Sequence, residues 1–194
     1  MRNIVKSKTR RSGEKGFTLM ELVIVMGIFV VIGTIIITIL SSTFQGNTKA
    51  RVSTDITQNG NYVLNILSNL ILNSQKFQSI TDLSSVVTTT CSPTGTTGKT
   101  ITVLDFEGST TTLTCNDGAS STYTISSNSA SLLDTSQVKL VQNSCLFTCT
   151  QADIYSLPRI DITFQLHNAA GTIPEKQATS TFSNSFSIRN TDFK

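Results

Sequence analysis

Residues 15–40 read KGFTLMELVIVMGIFVVIGTIIITIL. From Leu22 to Leu40 only Gly27, Gly33, Thr34 and Thr38 interrupt an otherwise apolar run. Nineteen residues at 1.5 Å rise span about 28 Å, close to the ~30 Å hydrocarbon core of a bilayer. No charge occurs between Glu21 and Lys49. The many β-branched residues do not forbid a helix, because lipid leaves the backbone no other way to satisfy its hydrogen bonds. The charge lies ahead of the run. Residues 1–16 hold six basic side chains and one acid, a balance of +5, so the remaining chain carries −2 of the +3 total. That asymmetry predicts a cytoplasmic N-terminus and an exported C-terminal part.

The run itself fits three kinds of segment. A cleaved secretory signal has a shorter apolar core followed by a small-x-small site. Here the core is too long and nothing after Leu40 supplies such a site. A plain uncleaved anchor explains the length but not the junction Gly16-Phe17-Thr18-Leu19-Met20-Glu21. Glu21 sets a carboxylate directly against the apolar run, which an anchor alone gains nothing from. Cleavage after Gly16 would give Phe17 a new α-amine four residues from Glu21, on the same helix face. The amine of a neighbouring subunit meets this carboxylate equally well. An acid in the first turn also suits the helix dipole. The plainer alternative is that Glu21 only marks the membrane boundary.

The string Lys15-Gly16-Phe17-Thr18-Leu19-Met20-Glu21-Leu22, after a short basic leader and before an apolar helix, resembles the prepilin motif. That family comprises the type IV pilins and the pseudopilins of type II secretion and DNA-uptake machines. The resemblance implies a prepilin peptidase that cuts between Gly16 and Phe17 and N-methylates Phe17. It implies that Glu21 registers subunits during filament assembly. The implied partners are other pilin or pseudopilin subunits through the N-terminal helix, an inner-membrane assembly platform, and the bilayer before assembly. The chain departs from many major type IV pilins in one respect. Where they carry a helix-breaking proline it has Thr38, and no proline precedes Pro93. This favours a pseudopilin or minor pilin over a principal pilus subunit.

The helix is expected to continue. The stretch Thr43–Asn47 is polar and contains Gly46, which points to a kink or fraying. Apolar residues then recur at Val52, Ile56, Val63, Leu67, Leu70 and Phe77, with Asn59 and Gly60 interrupting the stripe. This amphipathic pattern predicts a helix to about residue 78, packed on the rest of the chain. The organisation is therefore a leader over 1–16 that is removed, a long helix over 17–78 with its transmembrane part at about 20–42, and an exported head over 79–194. The fold class is α+β, a pilin-like lollipop with an antiparallel β-sheet head.

Beyond residue 78 the period becomes two. Ile160, Ile162, Phe164 and Leu166 alternate with polar neighbours, and weaker alternation occurs at 101–106, 111–115, 123–127, 137–141 and 181–188. Ser92-Pro93-Thr94-Gly95, Asn116-Asp117-Gly118 and Ala170-Gly171 supply turns. The ending Ile188-Arg189-Asn190 resembles the J-type pseudopilins and PilW-like minor pilins. Serine and threonine number 56, about 29% of the chain, and charged residues only 14%, which suits an exported β surface. All four cysteines lie here, so two disulfides are expected in an oxidising compartment. Of three connectivities, Cys91–Cys115 with Cys145–Cys149 closes the most local loops. A four-cysteine zinc site is the rival, but Cys91 and Cys115 are too far apart to form its second short pair.

Chemistry is sparse. His167 is the single histidine and falls on the polar face with Asp161, Thr163 and Gln165. Asp105, Glu107 and Asn116-Asp117 lack calcium-loop spacing. No nucleophile, metal or phosphate motif is present, so neither catalysis nor a cofactor is expected. Residues 79–194 carry six basic and nine acidic side chains without a cluster, which argues against nucleic-acid binding. The reading is a structural filament subunit, of a type IV pilus-like or type II secretion machine. The alternatives are an adhesin or substrate-binding module carried on a pilin stalk, or a DNA-uptake pseudopilin.

Overall fold

The computed structural model describes residues 16–118, 122–153, 155–169 and 178–188. The chain divides into two compact units between Phe44 and Gln45. The architecture is α+β, one long N-terminal helix followed by a curled antiparallel sheet.

Helix α1 runs Leu19–Leu72. Thr18 caps it: its hydroxyl accepts the Glu21 N–H at 3.2 Å, and its carbonyl accepts the Leu22 N–H at 3.2 Å. In the first unit the apolar side chains of the run stand 42% to 68% exposed. The polar interruptions are neutralised inside the helix. The hydroxyl of Thr38 donates to the carbonyl of Thr34, and that of Thr34 to the carbonyl of Val31, each at 2.8 Å. Ser42 and Thr43 donate to the carbonyl of Ile39 in the same way. The stretch Thr43–Asn47, read as a place for a kink or fraying, is helical throughout.

In the second unit α1 buries Ile56, Gly60, Val63, Leu67 and Ile71. The spacing of four, three, four and four residues is one face of a helix. Gly60 belongs to this face rather than interrupting it. A Cβ at Gly60 would overlap the ring of Phe182, which stacks on Phe164 with centroids 5.3 Å apart. The phenylalanine takes the volume the glycine leaves. Gly60→Leu is therefore expected to destabilise this unit by about 2–4 kcal/mol despite leucine's better helix propensity. Chemical denaturation of the full chain in detergent checks this, and unchanged stability would refute the close approach.

The helix ends at Leu72, earlier than the expected residue 78, and β1 (Ser74–Asp82) follows at once. The correction has a physical cause. Pairing of β1 with β3 (Thr96–Asp105) shifts register after Ser74, after Phe77 and after Thr81. Bulges add residues to one strand. They bring Ser74, Phe77 and Ile80 inward at a spacing of three, which imitates a helical period.

The remaining strands are β2 (Val87–Thr88), β4 (Thr110–Asn116), β5 (Thr124–Ser127), β6 (Ala130–Ser131), β7 (Val138–Leu140), β8 (Leu146–Thr150), β9 (Arg159–Asn168) and β10 (Thr179–Ser187). The sheet order is β10-β9-β8-β3-β4-β5-β6, with β1 beside β3, β2 beside β1 and β7 beside β9. The strongest alternation, on β9, is as expected: Ile160, Ile162, Phe164 and Leu166 are fully buried. The weaker alternations correspond to β3, β4, β5, β7 and β10. The turn Ser92–Gly95 forms, with Gly95 at φ 91° and its N–H on the Ser92 carbonyl at 3.0 Å. Ala170-Gly171 and Arg189-Asn190 lie outside the described residues, as does the leader up to Lys15.

Strand β3 is the hub. Residues Thr100–Leu104 pair with β1 on one edge and with β4 on the other. Gly98 pairs with Asp82 of β1 and, on the opposite edge, with Phe147 of β8. So β4 leaves β3 where β8 enters, and the sheet forks between Gly98 and Thr100.

Candidate functional site

The candidate site is the N-terminus of α1. Gly16 and Phe17 precede the helix and are exposed, Phe17 by 81%. Thr18 and Glu21 stand three apart, the capping-box spacing, and the backbone half of that box is formed by the Thr18 hydroxyl. This fixes where the helix begins. Glu21 then lies in the first turn, where backbone N–H groups favour negative charge. Phe17, Glu21, Leu22, Val25, Met26 and Phe29 line one side of the helix start. Glu21 is the single charge among them, so a carboxylate borders an apolar face on which another helix can lie.

The structure thus places Gly16, Phe17 and Glu21 together at one end of an exposed apolar helix. Thr18 is the member the sequence reading passed over, although its Thr-x-x-Glu spacing announces a helix start.

In the head, the cysteine pairs differ from expectation. Cys91 pairs with Cys149, and Cys115 with Cys145, at Cα separations of 5.2 and 5.7 Å. The expected Cys91–Cys115 and Cys145–Cys149 bridges are not formed. Cys145 immediately precedes β8 and Cys149 lies within it, and four residues of extended chain separate Cα atoms by about 13 Å, beyond the reach of a disulfide. Insertion of β8 beside β3 brings Cys149 opposite Thr96, next to the loop that carries Cys91. The second bridge spans the fork, from the end of β4 to the start of β8.

Asp117 completes the fork. Its side chain is fully buried, contacts the Lys99 ammonium, and accepts the Cys145 N–H at 2.9 Å. The turn signal at Asn116-Asp117-Gly118 hid this role. Of the other carboxylates considered for calcium, Asp105 is committed within its own turn. Asp105 accepts the N–H groups of Glu107 and Ser109, both at 2.9 Å, within the β3–β4 turn. Asp134 accepts from the Ser136 hydroxyl and N–H, which hold its carboxyl below the usual carboxylate range. His167 is half-buried, with Nδ1 3.0 Å from the Asn168 carbonyl. Among the described residues no group of histidine, cysteine and carboxylate side chains is arranged to hold a metal.

An exposed Gly16-Phe17 junction, a capped helix start bearing one acid, and a helix long and apolar enough to cross a membrane stand together at the N-terminal end of the described residues. Residues 11–41 match the family described as the prokaryotic N-terminal methylation motif, so this segment is type IV prepilin-like. Neither a curated protein nor a solved structure matches the chain.

Proposed function

We propose that the chain is a structural subunit, a minor pilin or pseudopilin, of a type IV pilus-like or type II secretion filament. The observation that carries this reading is the junction Gly16–Glu21 set on the exposed apolar run of α1. The basic leader holds the N-terminus inside while the run inserts. A prepilin peptidase cuts after Gly16 and methylates the Phe17 amine. The new terminus is cationic, and Glu21 is its natural counter-charge, on the same chain or on the neighbour. During assembly the helices move from lipid into a helical bundle. That exchange is apolar for apolar, so it supplies little net driving force. The amine–carboxylate pair supplies register instead, because a misaligned helix buries an unpaired charge. The absence of proline before Pro93 and the unbroken α1 support the minor-subunit assignment.

The test is mass spectrometry of the mature protein from its native membrane. The expected N-terminus is N-methylated Phe17, and the mass is lower by the four hydrogens of two disulfides. A chain that begins at Met1 overturns the proposal.

A further inference from the structure

The two disulfides are nested: Cys91–Cys149 encloses Cys115–Cys145. We infer that the exported chain reaches this pairing only with a thiol–disulfide isomerase as a folding partner, because the order in which its thiols meet an oxidant favours the other connectivity. The inference rests on the export of the head proposed above.

A head that follows an N-terminal anchor across the membrane delivers Cys91 and Cys115 first. Cys149 lies 34 residues after Cys115. At a synthesis rate of about 5–20 residues per second it trails by roughly 2–7 s. During that interval Cys91 is the only partner for Cys115 until Cys145 emerges. Loop closure favours the same early pair. Cys91 is 24 residues from Cys115 and 58 from Cys149, and closure probability falls with the 3/2 power of length, a preference of about fourfold. Cys145 and Cys149 then remain, four residues apart in a still-flexible segment, and pair with each other.

That state cannot become the native sheet. Strand β8 holds Cys145 and Cys149 apart, so their bridge keeps β8 from extending between β3 and β9. The native pairs in turn need β8 docked, since Cys149 faces Thr96 only there. Escape requires a thiolate from outside. An isomerase thiolate attacks the Cys91 sulfur of Cys91–Cys115, forms a mixed disulfide, and releases the Cys115 thiolate. Cys115 attacks Cys145 of the Cys145–Cys149 bridge, forms Cys115–Cys145, and releases the Cys149 thiolate. Cys149 attacks Cys91 of the mixed disulfide, forms Cys91–Cys149, and frees the isomerase thiolate. Two disulfides exist before and after, so no oxidant is consumed. The product is then sealed: Cys145 and Cys149 are fully buried, with Cys115 4% and Cys91 9% exposed. An attacking thiolate no longer reaches them.

The experiment expresses the full chain in isogenic bacteria with and without their periplasmic disulfide isomerase. Thiols are alkylated in the cell and the non-reduced peptides mapped by mass spectrometry. The expected result is nested pairs with the isomerase. Without it, native pairing falls about fivefold or more and Cys91–Cys115 with Cys145–Cys149 accumulates. In the variant C91S/C149S only Cys115–Cys145 remains as a native bridge, and its yield is expected to be equal in both strains. Equal nested pairing of the wild-type chain in both strains overturns the inference while leaving export intact. Four free thiols in both strains overturn the export reading along with it.

Discussion

Glu21→Val is expected to insert into the membrane as well as the wild-type chain and to lose filament incorporation by about 100-fold or more. Valine suits the apolar face formed by Phe17, Leu22, Val25, Met26 and Phe29, so anchoring is unharmed. What would disappear, on the proposed function, is the counter-charge for a methylated amine that assembly carries into an apolar bundle. Removing one partner of a buried ion pair costs about 3–5 kcal/mol, because the other charge is left unpaired in low dielectric. Each 1.4 kcal/mol is a factor of ten, so that range corresponds to roughly 150-fold to several-thousand-fold. Glu21→Asp keeps the charge on a shorter arm and is expected to recover part of the incorporation. The measurement is the ratio of the protein in sheared filaments to that in membranes. Wild-type incorporation of the valine variant would reduce Glu21 to a marker of the membrane boundary.

The second large effect is expected at Gly98. A Cβ there would overlap the backbone carbonyl oxygen of Thr81. The neighbour is main chain, held by the pairing of Thr81 with Thr100 and of Asp82 with Gly98, so it cannot rotate away as a side chain does. On its other edge Gly98 pairs with Phe147, which fixes β3 against β8. Gly98→Val is expected to separate β1 from β3 at this point and to cost about 3–5 kcal/mol, enough to unfold much of the population of a marginally stable head. Gly46→Ala is the contrasting substitution. Nothing lies near that position and it is helical, so it is expected to be neutral or to stabilise by up to about 1 kcal/mol. Denaturant midpoints of the two variants in detergent check the pair. Similar midpoints would mean that β1 does not approach β3 as described.

The stretch that decides function was legible because its physics is local. A nineteen-residue run interrupted only by two glycines and two threonines is long enough to cross a bilayer wherever the rest of the chain goes, and the motif from Gly16 to Glu21 is read within six residues. Strand β9 was legible for the same reason, through undisturbed alternation from Ile160 to Leu166. What escaped the sequence depends on contacts far along the chain. The bulges of β1 replaced a period of two with a spacing of three, so Phe77 was read as the last turn of a helix. Gly60 read as an interruption because its reason is Phe182, more than a hundred residues later. The cysteine pairs were misassigned because sequence distance was taken for spatial distance, whereas β8 inserts next to β3 and reverses the order. Asp117 was a turn residue by its neighbours and is a buried ion-pair partner by its surroundings. At the candidate site Thr18 was overlooked, although a serine or threonine three residues before a glutamate carries its own local meaning.

The outer bridge also decides how the head behaves under tension. A head pulled through α1 first loses the packing of Ile56, Val63, Leu67 and Ile71, and any further unravelling proceeds through β1 to Cys91. There the force crosses the sulfur–sulfur bond directly to Cys149. The chain between them, a sequence separation of 58 and about 200 Å of contour if fully drawn out, cannot lengthen. A reduced head would yield like a spring uncoiling, whereas the oxidised one can stretch only at its margins.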